Sequence, residues 1–536
     1  MPILEDKGRE TGRSVGLCDP KSTDVTRCGT AKTQFAVSGP LSHCRTRRGG
    51  FFVSGMSDSQ VGTLRRPRLV AHWRLVLARA PLSGVAAEMS AILLLCPAFL
   101  YMAAWNRFPF VFFDTGAYVL EGFAKVFVPE RSAVYSLFLH YVHGRQNLWY
   151  VAIVQSLMTA FVVTEFARAL RPKTTIWKLL GISLALSIFT SVAWYVGQIE
   201  PDCMTAVLVM ALYPLAFRLR QVGWPRAALL VAVAAFAIGA HPSHLGLAAG
   251  LVMCLALVRL AGMVWRYERL PKPNIVLPAL VFVLGLGSVL VANYSITHKI
   301  FVSKSGSIFL TARLMGDGVV KETLDEICPA QSLDLCAYKD RLPPSADAYL
   351  WAPDSPFNKL GRFYGDQKQY GIIVRESLER HPIQSIATGL WDSFRQLLMF
   401  RTGDGVAPQE WVLVPMFRDF MPKQYRDYMS ARQQRGSLRF NDVNVVHYPL
   451  AVFSQVWLLV VLIRALRRRR WNLAVLPAFL LLAFIGNALV CGMFSGPHDR
   501  YQSRLVWVAT LTVLLTTSPR LERALRAPAN PALNAL

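Results

Sequence analysis

Long apolar stretches recur along the chain, and they constrain the fold more than any other feature. Segments such as Ile176 to Val196 (IWKLLGISLALSIFTSVAWYV) and Leu473 to Met493 carry almost no charge and have the roughly 20-residue length at which a helix crosses bilayer hydrocarbon. Similar cores run from Met89 to Trp105, Leu148 to Leu170, Cys203 to Phe217, Trp224 to Ala240, Leu245 to Leu260, Ile275 to Asn293, Val445 to Ile463 and Leu505 to Thr517. Lipid offers the backbone no hydrogen-bond partners, so such segments must be helical. With 53% hydrophobic and only 17% charged residues over 536, the chain is too apolar for an ordinary soluble protein. The sequence predicts an all-α membrane protein with about ten transmembrane helices and a mostly helical or loop extracytoplasmic subdomain.

A net charge of +25 would suggest nucleic acid in a soluble protein, but here Lys and Arg sit in short clusters between apolar spans, as membrane topology demands. Arg168 with Arg171, Lys173 and Lys178 form one cluster, Arg218 with Arg220 and Arg226 a second, and Arg259 with Arg266, Arg269 and Lys272 a third. Arg464 with the run Arg467 to Arg470, and Arg520 with Arg523 and Arg526, complete an alternating pattern. It places both termini in the cytoplasm. The expected organisation is a disordered or untranslated extension (1–55), a basic cytoplasmic segment (56–88), seven spans with their outward loops (89–295), an extracytoplasmic subdomain (296–444), three spans (445–517) and a cytoplasmic tail (518–536). Met56 offers an alternative start, and no cleavable signal peptide is evident.

Within the subdomain, IQSIATGLWDSFRQLLMF (Ile383 to Phe400) repeats apolar residues at helical spacing and is expected to lie flat at the bilayer surface. Cys328 and Cys336 fall in an outward polar segment where a disulfide is permitted, although spacing alone leaves it open. Cys96, Cys203, Cys254 and Cys491 lie in or beside apolar spans and read as small hydrophobic fillers. No Cys and His spacing builds a zinc site.

Polar residues in a membrane protein mark sites when they converge on one face, and the unusual ones here fall in outward loops. Asp114 in FFDTGAY is either a helix cap or a general base or cation ligand. There is no second DTG triplet to supply an aspartic-protease pair. Glu200 and Asp202 flank Pro201; Asp202 reads as a cap, while Glu200 is free for chemistry or, with its neighbour, for a divalent cation. His241 and His244, in AHPSHLG, fit turn hydrogen bonding or one wall of a cavity. In SGPHDRYQSR, Arg500 and Arg504 lie four apart and share a helix face; this outward pair suits a lipid phosphate, against the alternatives of snorkelling or pairing with Asp499. His498 and Tyr501 belong to the same motif. Lys299, Lys304 and Arg313 add outward positive charge that serves either the same phosphate or general lipid anchoring.

An outward carboxylate after the first span, a second acidic group after the third, a large late outward segment and a terminal His/Arg/Tyr motif resemble the GT-C superfamily of membrane glycosyltransferases. The sequences FLTARLMGDG and LCAYKDRLPPSADAYLW are similar to uncharacterised bacterial multi-pass membrane proteins. The resemblance implies transfer of a sugar from a polyprenyl-phosphate carrier to an extracytoplasmic acceptor, with residence in a bacterial cytoplasmic (inner) membrane. It implies Asp114 and Glu200 as catalytic groups and Asp202, His241, His244, Lys304, His498, Arg500, Tyr501 and Arg504 around the substrate. No nucleotide is expected, since the lipid donor brings the energy, and a divalent cation is left open. The competing reading is a transporter or a lipid-binding envelope-assembly protein without catalysis.

Overall fold

The computed structural model describes residues 84–517 apart from 145–146, 265–269 and 329. The expected amino-terminal extension, most of the basic segment after it, Arg266, Arg269 and the carboxyl-terminal tail with Arg520, Arg523 and Arg526 lie outside the described residues. Among the described residues the regular elements are all helical, and a parallel bridge between Phe110 and Gln198 stands alone. The helices that organise the molecule are α1 Val85–Asn106, α2 Phe113–Ala124, α3 Ala133–His143, α4 Leu148–Leu170, α5 Ile176–Phe189, α6 Cys203–Phe217, α7 Trp224–Ala240, α8 Pro242–Val264 and α9 Val276–Thr297. They are followed by α10 Gly306–Gly316, α11 Val319–Ile327, α12 Ala346–Trp351, α13 Lys368–Arg380, α14 Pro382–Leu398, α15 Glu410–Phe420, α16 Phe440–Arg467, α17 Trp471–Phe494 and α18 Asp499–Thr516.

Six of these, α1, α4, α8, α9, α16 and α17, are long and apolar enough to cross a membrane, while α5, α6 and α7 are equally apolar but shorter. Their starts follow local chemistry. The Asn147 side chain accepts from the Trp149 amide at α4, Thr175 accepts from Lys178 at α5, and proline opens α8 and α14, where no intrahelical donor is needed. Burial then sorts the helices. Every residue of α6 from Cys203 to Ala216 is buried, which makes it the axis of the bundle. The outer helices leave Met253, Leu257, Val283, Val291, Phe453 and Val456 exposed, a surface that lipid, not water, accommodates.

At the end of the bundle near Arg171 and Arg218, buried charges tie three helices. Arg226 Nε meets Glu88 Oε2 at 2.5 Å, and Arg168 pairs with Glu165. Two of the arginines that read as topology markers are therefore also ion-pair partners, and α1, α4 and α7 share one network.

The segment from 296 to 444 divides its packing. Residues of α10 to α13 and of the segment joining α12 to α13, including Ile308, Val320, Leu324, Tyr349, Phe357, Phe363 and Ile373, build a separate apolar core. Cys328 and Cys336 form a disulfide at its edge, with a Cα–Cα separation of 5.6 Å. Leu413, Phe417 and Tyr428, by contrast, join the main bundle core. Helix α14 crosses α17, where Gly492 is required: a Cβ there would stand 2.5 Å from the Ser393 amide nitrogen. Cys96, Cys203 and Cys491 are buried free thiols, as their apolar settings suggest.

Candidate functional site

Two loops distant in sequence are stitched together by backbone. After α1 ends on Arg107 in the left-handed region (φ 70°), the chain runs extended, and the Phe110 amide donates to Gly197 O at 2.9 Å while Ile199 donates to Phe110 O at 2.8 Å. Gln433 secures the other side, accepting from Val111 N and donating to Val111 O. This pairing brings Asp114 beside the Glu200 loop. Thr115, not Asp114, closes the start of α2: its hydroxyl accepts from the Phe112 amide at 2.9 Å and faces Ile199 O and Glu200 Oε1 at 3.0 and 3.2 Å. Of the two readings of Asp114, the capping role is therefore filled one residue later, by Thr115. Asp202 likewise makes no cap bond. It turns instead toward a cation.

The Asp114 carboxylate pairs with Arg131 through one oxygen, and its other oxygen lies 3.6 Å from Arg500. Beneath them, fully buried Arg504 donates to Asp202 at 2.5 Å and to the Ser243 hydroxyl at 3.1 Å. The Ser243 hydroxyl and amide both face His241 Nδ1, at 2.8 and 3.2 Å, so that nitrogen accepts and the proton sits on Nε2. His244 is internal: its Nδ1 donates to Ala237 O and its Nε2 meets the Thr205 hydroxyl, each at 2.6 Å. Arg500 and Arg504 both stand over the Tyr501 ring, at 5.1 and 5.3 Å, and Arg500 also over Phe112 at 4.3 Å. The alternative pairing with Asp499 is not seen; Asp499 accepts from the Arg401 amide. Asp404 accepts from the Arg500 amide at 3.1 Å instead.

These groups floor a cavity of about 1060 Å³ between the helix ends and the α10–α13 unit. Asp114, Glu130, Arg131, His241, Asp347, Asp404, His498, Arg500 and Tyr501 supply its polar lining. Leu245, Gly246, Val289, Phe301, Phe309, Leu310, Val490 and Phe494 supply a continuous apolar wall. Glu200, Asp202, His244 and Arg504 lie behind the lining. Lys304 also stands apart, its ammonium over the rings of Phe127 and Phe301, while Ser303 and Ser305 beside it face the cavity. At the rim, His498 lies 3.3 Å from Asp347 and 3.8 Å from Asp404.

Environment separates the carboxyl groups. Burial, with Asp114 and Asp202 nearby, pushes Glu200 well above the usual carboxylate range. Burial also raises Glu130, whose Oε2 is buried without a hydrogen-bond partner. Asp347 is held low, chiefly by its hydrogen bond to His498. His241 is pushed well below the usual imidazole range by burial and by Arg504. Among the described residues no three His, Cys, Asp or Glu side chains are grouped to hold a metal ion. Asp114 and Asp202 both point carboxylate oxygens at guanidinium groups, so these donors do not fit a divalent cation.

Glu130, Arg131, Asp347, Asp404 and Trp351 were not singled out from the sequence. The available signal was the Glu130–Arg131 pair in VFVPERSAV, adjacent opposite charges in an otherwise weakly charged segment.

Fold and site together define an all-helical multi-pass membrane protein with an amphiphilic cavity at one end of its helices. No family model, no curated protein and no solved structure matches the chain.

Proposed function

We propose that this protein is a glycosyltransferase of the GT-C kind, spanning a bacterial cytoplasmic membrane about ten times with both termini inside, and moving a sugar from a polyprenyl-phosphate carrier to an extracytoplasmic acceptor. The observation that carries this reading is the union, in one cavity, of guanidinium groups with an apolar wall contributed in part by α8, α9 and α17. A polyprenyl phosphate has that same polarity along its length. Arg500 has a single ion pair at 3.6 Å, far from saturating the donors of its planar fork, which suits a phosphate. The carboxyl groups of Glu130, Asp347 and Asp404 and the face of Trp351 match the hydroxyls and C–H surface of a sugar.

In the proposed step an acceptor hydroxyl oxygen attacks the anomeric carbon. The bond from that carbon to the phosphate oxygen breaks, its electron pair leaves with the lipid phosphate, and Arg500 and Arg131 meet the charge. The hydroxyl proton passes to Glu130, whose Oε2 carries no hydrogen bond from the protein. Asp114, held between two arginines, acts by fixing both guanidinium groups. Glu200, outside the lining, supports the floor through Thr115.

The test is mass spectrometry of lipid-linked and envelope glycans from cells with the intact gene, a deletion, Asp114→Asn and Glu130→Gln. All three changes should remove one glycan and accumulate its polyprenyl-linked donor. Unchanged glycans in the deletion would replace this reading with transport or assembly.

A further inference from the structure

Helix α14 is inside out. Its buried positions are Ser385, Gly389, Asp392, Ser393 and Gln396, which are small or polar. Its exposed positions are Ile383 (83%), Ile386 (52%), Leu390 (50%), Trp391 (61%), Phe394 (53%) and Leu398 (51%). Both sets recur at three- and four-residue intervals, so each forms a coherent face. In water this arrangement would be reversed, because burying the apolar face is what normally docks a surface helix.

The polar face is fully engaged. Arg313, itself buried, donates to Ser385 O at 3.3 Å, to the Thr388 hydroxyl at 3.1 Å and to Met493 O at 3.2 Å. Gln396 exchanges two 2.8 Å hydrogen bonds with the backbone of His498. The close crossing at Gly492 holds the same face. Among the described residues the apolar face meets no comparable cover.

The height of α14 in the bundle identifies what covers it. The Tyr448 hydroxyl of α16 donates to Leu398 O at 3.3 Å, and Tyr448 is about 24 Å up the helix from Arg464 at about 1.5 Å per residue. Gly492, crossed by Ser393, is about 33 Å from Arg470 by the same rise. If the arginine run marks one boundary of a hydrocarbon core about 30 Å thick, these contacts bracket the other boundary. Val445 and Val452, on the same face of α16 as Tyr448, are exposed as well, so the apolar surface of α14 continues that of a candidate spanning helix.

We infer that α14 is an interfacial helix whose apolar face is immersed among phospholipid acyl chains, at the membrane face opposite the Arg464–Arg470 run. Trp391 sits at the headgroup boundary, where tryptophan is favoured. Through Gln396 and His498 the helix anchors the rim of the cavity to the bilayer surface. This inference does not depend on the reaction proposed above.

The test is photo-crosslinking in the full-length protein reconstituted in phosphatidylethanolamine/phosphatidylglycerol vesicles, with benzoylphenylalanine replacing Ile386 or Phe394 and, as control, exposed Glu379 of α13. Mass spectrometry should find phospholipid adducts several-fold more abundant at Ile386 and Phe394 than at Glu379. As an independent reading, brominated phospholipids should quench tryptophan fluorescence more in the native protein than in Trp391→Phe. Equal adducts at all three sites, or crosslinks to a second copy of the chain in place of lipid, would overturn the inference.

Discussion

At the scale of single residues, the site rests on charges that hold one another. Arg504 and Asp202 are both buried and joined at 2.5 Å, and removing one partner leaves the other charge stranded, at a cost of about 3–5 kcal/mol. Arg504→Met should therefore lower thermal stability in detergent sharply, and Asp202→Leu combined with it should restore much of the loss. An additive double mutant would remove the pair from the account. Glu121 gives a pH signature. Burial raises its carboxyl to about 7 although Ser136 and the Val128 amide donate to it. Its folded value exceeds the unfolded one, so its contribution to stability is complete below about pH 4.5 and is lost as pH rises through about 7. Native protein should lose stability across that window relative to Glu121→Gln, as denaturation midpoints at pH 5 and pH 8 will show. Asp114 stood out in the sequence because a lone carboxylate after an aromatic run is conspicuous, and it lines the cavity. Its dependence on Arg131 was not, since that contact is made by folding the 125–131 loop back over α2.

At the scale of elements, the apolar periodicity exposed the helices but not their burial. The α5, α6 and α7 segments read like the six longer ones, yet the structure makes α6 the fully enclosed axis and leaves α8 and α9 half bare. Composition cannot separate a helix facing lipid from one facing other helices, because both solvents are apolar. The two faces of α14 were legible in its periodicity and led to an expected place at the bilayer surface; the packing of its small and polar face against α17 emerges only in the fold. The disulfide was permitted by spacing and is formed at the edge of the α10–α13 core. Closing so short a loop is worth about 2–3 kcal/mol in the chain-entropy account. Reduction, or Cys328→Ser with Cys336→Ser, should increase proteolysis within 305–380 while the bundle stays resistant. Uniform loss of resistance would show that the two cores unfold as one.

At the scale of the whole molecule, the helix ends that carry Asp114, Glu200, His241 and Arg500 come from segments spread over nearly 400 residues of sequence, as a span count with alternating basic loops leads one to expect. The shape of the cavity, and the carboxylates that α12 and the 401–405 turn bring to its rim, depend on tertiary packing and had no local signature. In the proposed function this cavity takes a lipid by its phosphate. The most direct measurement is a titration of the purified protein in nanodiscs with farnesyl phosphate and, in parallel, farnesol. The account predicts saturable binding of farnesyl phosphate that Arg500→Met weakens at least tenfold, with farnesol binding far more weakly and indifferent to the substitution. Equal affinity for the two ligands, or farnesyl phosphate binding unchanged in Arg500→Met, would contradict it.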